Sequence, residues 1–122
     1  MNTKKILLIT SDSELNGIIK ISALTLTKLN CQVSIIEAVD IESAMTESAS
    51  SDLSFIILDL DISNFDAADF IKKIRANTGT AGKKIISVYS GLVDLKKFHS
   101  AGCDSIMSKE EFRKVVVNIL KY

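Results

Sequence analysis

The chain has 122 residues, 47% of them hydrophobic and 25% charged, with 15 Lys plus Arg against 15 Asp plus Glu. That length and balance describe one globular domain with a real core and exclude a disordered chain. A formal net charge of zero supplies no field to draw it to nucleic acid or an anionic membrane, and no apolar run approaches the length of a membrane span.

"KKILLIT", residues 4–10, is a short branched apolar run and reads as a buried strand. Its four apolar residues after Lys5 are too few for a signal-peptide core. "SDSEL" then offers helix N-caps, and Leu15, Ile18, Ile19, Ser22, Leu26 and Leu29 recur with helical spacing. Ile21 and Leu24 fall off that stripe, either as scattered exposed residues or as part of a partner face. "CQVSIIEA", residues 31–38, is a second strand. Asp40 caps a short helix with Ile41, Ala44, Met45 and Ala49 on one face.

"LSFIILDL", residues 53–60, is the third strand and the most continuously apolar. Asp66 caps the next helix, with Ala67, Phe70, Ile71 and Ile74 inward, and "ANTGTAGKK" ends it as a loop. "KIISVYS", residues 84–90, is the fourth strand. "GLVDLKKFHSAG" is a short helix closed by Gly102. "CDSIMSK", residues 103–109, is a brief fifth strand, and "EEFRKVVVNILKY" the last helix, acidic in its first turn and ending near Lys121 as the helix dipole favours.

Five alternating strands and helices require right-handed crossovers and a parallel sheet with helices on both faces. The expected fold is α/β, doubly wound (βα)5 and flavodoxin-like, with residues 1–122 as a single domain, whether a whole small protein or part of a longer one. Cys31 and Cys103 sit in no metal or redox spacing and are expected to be packing residues of a reduced, cytoplasmic protein. His99, the one histidine, is expected to be a surface or half-buried packing residue.

In an open parallel sheet, chemistry gathers at the carboxyl ends of the strands. Thr10, Ser11 and Asp12 follow the first strand, Asp59 and Asp61 the third, Tyr89 and Ser90 the fourth, and Lys109 the fifth. A carboxylate and a lysine so placed have two readings. One is an ion pair that closes the end of the sheet. The other is an aspartate poised to accept a phosphoryl group, with the lysine countering the added charge.

"KKILLITSD", "FIILDLDISNFDAADFIKKIR" and "AGCDSIMSKEEF" arrive in the order and at the intervals of a response-regulator receiver domain, the module of bacterial two-component (phosphorelay) signalling typified by the chemotaxis regulator. The whole chain resembles that family. The last stretch resembles its Ala-Gly-Ala-x-x-Tyr-x-x-Lys-Pro-Phe pattern. The resemblance implies that Asp59 is the phosphoacceptor position and Lys109 the lysine that contacts the phosphoryl group. It also implies that Asp61 lends its main-chain carbonyl to a magnesium ion, and that a histidine kinase or another signalling protein is the partner.

The departures fall on the same pocket. The two acids that the family places after the first strand to hold Mg2+ are Thr10 and Ser11, with Asp12 third. Losing two anionic oxygens predicts weak or absent Mg2+, with Asp59 and Asp61 the metal residues that are left, and Asp12 the one candidate to bend in as a substitute. Tyr89 stands at the Thr/Ser switch position and Ile106 at the aromatic one. Tyr89 either fills that space permanently or packs with its hydroxyl in water. Ser90 can serve in its place only if the strand has already ended. Proline is absent from the chain, and Glu110 follows Lys109 where the family has Pro, so a trans bond is expected there.

The leading expectation is an atypical receiver. It acts as a protein–protein interaction module with impaired or lost phosphorylation, not as an enzyme, and is a monomer or weak dimer. A working receiver phosphorylated on Asp59 is the alternative. A remote one is a haloacid-dehalogenase-like phosphatase, suggested by the Asp59-x-Asp61 pair, although that pair stands on the third strand and not the first. A nucleotide binder would need a glycine loop after the first strand, and "TSDSEL" has no glycine.

Overall fold

The computed structural model describes residues 2–121, in which five strands alternate with five helices. They are β1 (Asn2–Ile9), α1 (Ser13–Thr27), β2 (Cys31–Ala38), α2 (Ile41–Ser48) and β3 (Leu53–Asp59). Then come α3 (Ala67–Ala76), β4 (Lys84–Tyr89), α4 (Leu95–Ala101), β5 (Ser105–Ser108) and α5 (Lys109–Lys121). Every strand pair is parallel and the sheet order is β2-β1-β3-β4-β5. The expected doubly wound fold is the one observed. The chain steps outward from β1 to β2, then crosses back to β3, so the switch of direction lies between β1 and β3.

Alternating strand residues feed two cores, one on each face of the sheet. Ile6, Leu8, Phe55 and Ile57 pack with Leu15, Ile19 and Phe112 of α1 and α5. Leu7, Ile9, Ile56 and Leu58 pack with Ala44, Phe70 and Ile71 of α2 and α3. Both faces of β1 and β3 are therefore buried, which is why these strands read as unbroken apolar runs. Cys31 and Cys103 are free and buried, and burial pushes the Cys103 thiol up from its ordinary value. Among the described residues no helix is long and apolar enough to cross a membrane.

Caps set most boundaries. Asp12, Asp40, Asp66 and Asp94 each accept backbone N–H groups at the start of α1 to α4 in turn. Ile21 and Leu24 are each 66% exposed, off the buried stripe of α1 as expected. Four local expectations are corrected. Leu29 lies past the end of α1 and is exposed, because the helix stops at Thr27. Ala49 is an exposed C-cap, and Ser48 takes the inner place on α2, its hydroxyl donating to the Ala44 carbonyl at 2.6 Å. The fourth helix begins at Leu95 and not near Gly91, because Asp94 supplies its cap. Lys109 opens α5 instead of ending β5, since no proline follows it to delay the helix.

Arg75 ties one end of the sheet together. Its Nε donates to the Gly102 carbonyl at 2.8 Å, and Nη1 donates to the carbonyls of Ala81 and Lys83 at 2.8 and 2.6 Å. Its Nη2 meets Asp104 Oδ2 at 2.7 Å, an oxygen that also accepts the Ile85 N–H at 2.7 Å. Gly102 has φ +119° beside this side chain, and a Cβ there would stand 2.7 Å from Arg75 Cγ.

Candidate functional site

Asp59 is the last residue of β3 and 1% exposed. Its Oδ1 accepts the Asp61 N–H at 2.9 Å. Its Oδ2 accepts the Thr10 hydroxyl at 2.5 Å and lies 3.2 Å from Lys109 Nζ. Thr10, just past β1, in turn accepts the Asp12 N–H at 3.0 Å, which leaves its proton for Asp59. The register that aligns β1 with β3 thus sets a hydroxyl against a buried carboxylate.

Asp12 works with both oxygens. Oδ1 accepts the N–H groups of Glu14 and Leu15 at 3.0 and 3.2 Å, and Oδ2 meets Lys109 Nζ at 3.0 Å. Asp61 Oδ2 accepts from Ser90 twice, from its N–H at 2.8 Å and its hydroxyl at 2.7 Å, and lies 3.1 Å from Lys109 Nζ. One ammonium thus touches carboxylates from the loops after β1 and β3 and from β3 itself. The Lys109 side chain is only 11% exposed.

Burial alone would favour a neutral Lys109. The bonds to Asp12 and Asp61 and the charge of Asp59 outweigh it and hold the ammonium well above the usual lysine range. The Lys109 contact also holds Asp12 below the ordinary carboxylate value. For Asp61, burial pushes upward, but the bonds from Ser90 and Lys109 win and its carboxyl is lowered. Three carboxylates share one ammonium, so the cluster keeps two formal negative charges.

The structure thus brings together Thr10, Asp12, Asp59, Asp61 and Lys109, and leaves others aside. Ser11 is exposed. Tyr89 ends β4 half-buried, and among the described residues its hydroxyl makes no hydrogen bond. His99 is exposed, and Ile106 packs against the α2/α3 core. β4 has ended before Ser90, so Ser90 is free of the strand's alternation and reaches the cluster through Asp61. The Lys109–Glu110 bond is trans, as are all peptide bonds among the described residues.

Carboxylates and a hydroxyl are the hard oxygen donors that magnesium takes. As arranged, they do not fit it. Both oxygens of Asp59 already accept protein donors, and Asp12 and Asp61 each turn an oxygen to Lys109. Inner-sphere coordination would require those bonds to be given up while an ammonium stands at their focus. Among the described residues, no group of three or more His, Cys, Asp or Glu is placed to hold a metal ion.

No family model matches the sequence, and no curated protein does. Solved structures do match. The phosphorylated cyanobacterial phytochrome response regulator RcpA is similar at TM-score 0.79 and 16% identity, over 98% of this chain and 89% of that one. The receiver domain of a sensor histidine kinase from Pseudomonas aeruginosa PAO1, solved with a magnesium ion in its active-site cleft, is similar at TM-score 0.77 and 18% identity, over 97% and 94%. A two-component response regulator from Clostridium difficile reaches 23% identity at TM-score 0.71, over 96% and 94%. At such identities the likeness establishes a shared receiver-type fold.

Proposed function

We propose that this chain is an atypical response-regulator receiver domain of the two-component class, a protein–protein interaction module whose phosphoacceptor pocket is held closed by its own lysine. One observation carries the reading. Asp12, Asp59 and Asp61 all lie within 3.2 Å of Lys109 Nζ, so the cation of the pocket is supplied by the chain. A phosphoryl dianion arriving at Asp59 meets two further carboxylates that a single ammonium does not neutralise. Asp59 is also doubly occupied, by the Thr10 hydroxyl and the Asp61 N–H.

The same contacts join the loops at this end of the sheet. Asp61 ties the loop after β3 to Ser90, and so to the loop between β4 and α4. A partner of the histidine-kinase or phosphorelay class would dock on this preset arrangement.

A working receiver is the second reading, and the Ser90 hydroxyl favours it, since it stands at the pocket where the strand residue Tyr89 cannot. In that case an Asp59 oxygen attacks the phosphorus of a partner's phosphoimidazole. The P–N bond breaks, and the leaving nitrogen keeps the electron pair and takes a proton from water. The phosphatase reading needs Asp61 as a protonated acid, whereas its carboxyl is held ionised by Ser90 and Lys109.

An amide NMR titration with magnesium, then magnesium plus beryllofluoride as a phosphoryl mimic, separates the two. The closed pocket predicts a flat response in a folded spectrum. Saturable shifts at Asp59, Ser90 and Lys109 that vanish in Asp59→Ala would establish the working receiver.

A further inference from the structure

The opposite end of the sheet holds a groove unrelated to Asp59. It lies where β1, β3 and β4 begin, beneath the last turns of α5, with a volume of about 490 Å³. That falls within the size range of small-ligand sites. Its walls are apolar, from Phe55, Ile86 and Ile119, the first two being 4% and 5% exposed. Its cations are Lys4 and Lys84. Among the described residues, no carboxylate lines it and neither lysine has an ion pair or hydrogen bond.

A second feature points to the same place. β1 pairs Lys5 with Leu53 and Ile6 with Phe55, so Ser54 has no partner in β1. Neighbouring residues of a regular strand face opposite sides. The register shift lets Ser54 and Phe55 both line the groove, and bulges of this kind re-aim side chains beside binding sites. Lys84 is the Cα partner of Phe55 across the β3–β4 pair, so the two side chains leave the sheet on the same face. The Ser54 hydroxyl and the Asn118 amide at the rim make no bond to other described residues and can donate to an anion.

We propose that this groove binds a small monocarboxylate with an apolar tail. The tail lies against Phe55, Ile86 and Ile119, and the carboxylate sits between Lys4 and Lys84. The inference stands independently of the Asp59 pocket.

The test is an NMR titration of the full chain with sodium octanoate, kept below micelle formation, beside octan-1-ol as the neutral counterpart. The expected result is saturable shifts at Ser54, Phe55, Lys84 and Ile119, with Asp59 and Lys109 unmoved. The Lys4→Gln/Lys84→Gln variant should weaken octanoate binding about tenfold or more, the scale of losing a charge-assisted hydrogen bond. Asn118→Glu, on the exposed face of α5, should abolish it by repulsion. Linear, unsaturable shifts, equal binding of octan-1-ol, or unchanged affinity in either variant would overturn the proposal.

Discussion

Asp12 and Lys109 stand 97 positions apart in the chain and 3.0 Å apart at the carboxyl ends of the strands. The contact joins the first turn of α1 to the first residue of α5, and Asp12 caps α1 with its other oxygen. Asp12→Ala removes both roles and should cost about 2–3 kcal/mol, of which the cap accounts for about 1. Asp12→Asn keeps the cap and should recover that part. Urea unfolding of the two variants separates the terms.

Lys109→Met leaves three carboxylates around a buried position without their cation. The expected loss is about 3–5 kcal/mol, the scale of breaking a buried pair from one side. With the ammonium gone the oxygens are free to take a divalent ion. Magnesium should therefore raise the thermal midpoint of Lys109→Met while leaving the parent chain unchanged, as scanning calorimetry can record.

Stability should fall steeply in acid. Asp12 and Asp61 both lie below their ordinary value of 3.8 in the folded chain. Their contribution is present above that value and is lost as pH falls through the lower, folded ones. Lys109 is shifted upward from 10.5, so its contribution is full below that value and drains away only as pH rises beyond it. Unfolding free energy should be level across neutral pH and drop below about pH 4. Asp12→Asn/Asp61→Asn should flatten the acid limb.

Gly102→Ala puts a Cβ on a residue at φ +119° and drives it to 2.7 Å from Arg75 Cγ. It should destabilise by more than about 1 kcal/mol. Arg75→Ala should cost about 1–3 kcal/mol, because the half-buried carbonyls of Ala81, Lys83 and Gly102 lose a charged donor. Arg75→Lys should rescue little, since one ammonium cannot reach carbonyls that a planar guanidinium spans. Denaturation midpoints of the three variants test this.

The order of the elements was legible because parallel strands advertise themselves as apolar runs and Asp40, Asp66 and Gly102 sit where helix ends need them. Helical periodicity says which residues share a face and not where the helix stops. Leu29 and Ala49 therefore fit the stripe and still fall outside it. Asp59 and Lys109 stood out by residue type and position. The roles of Asp12 and Ser90 did not, because each depends on a neighbour brought up by the sheet order, Lys109 in one case and Asp61 in the other. Asp12 pairs with the lysine in the folded chain. Its place directly before α1, in the pattern of a helix cap, was the available signal. The groove at Lys4 and Lys84 depends on a register shift at Ser54, and no sequence pattern marks it.

A cation tethered to the backbone obeys no mass action. A soluble ion leaves its site when its concentration drops and fills it when it rises. Lys109 is present once per site from the moment of folding, at a local concentration that dilution and chelators do not change. On the proposed closed pocket, the cation facing Asp59 is therefore set by folding and pH and not by the supply of a soluble ion.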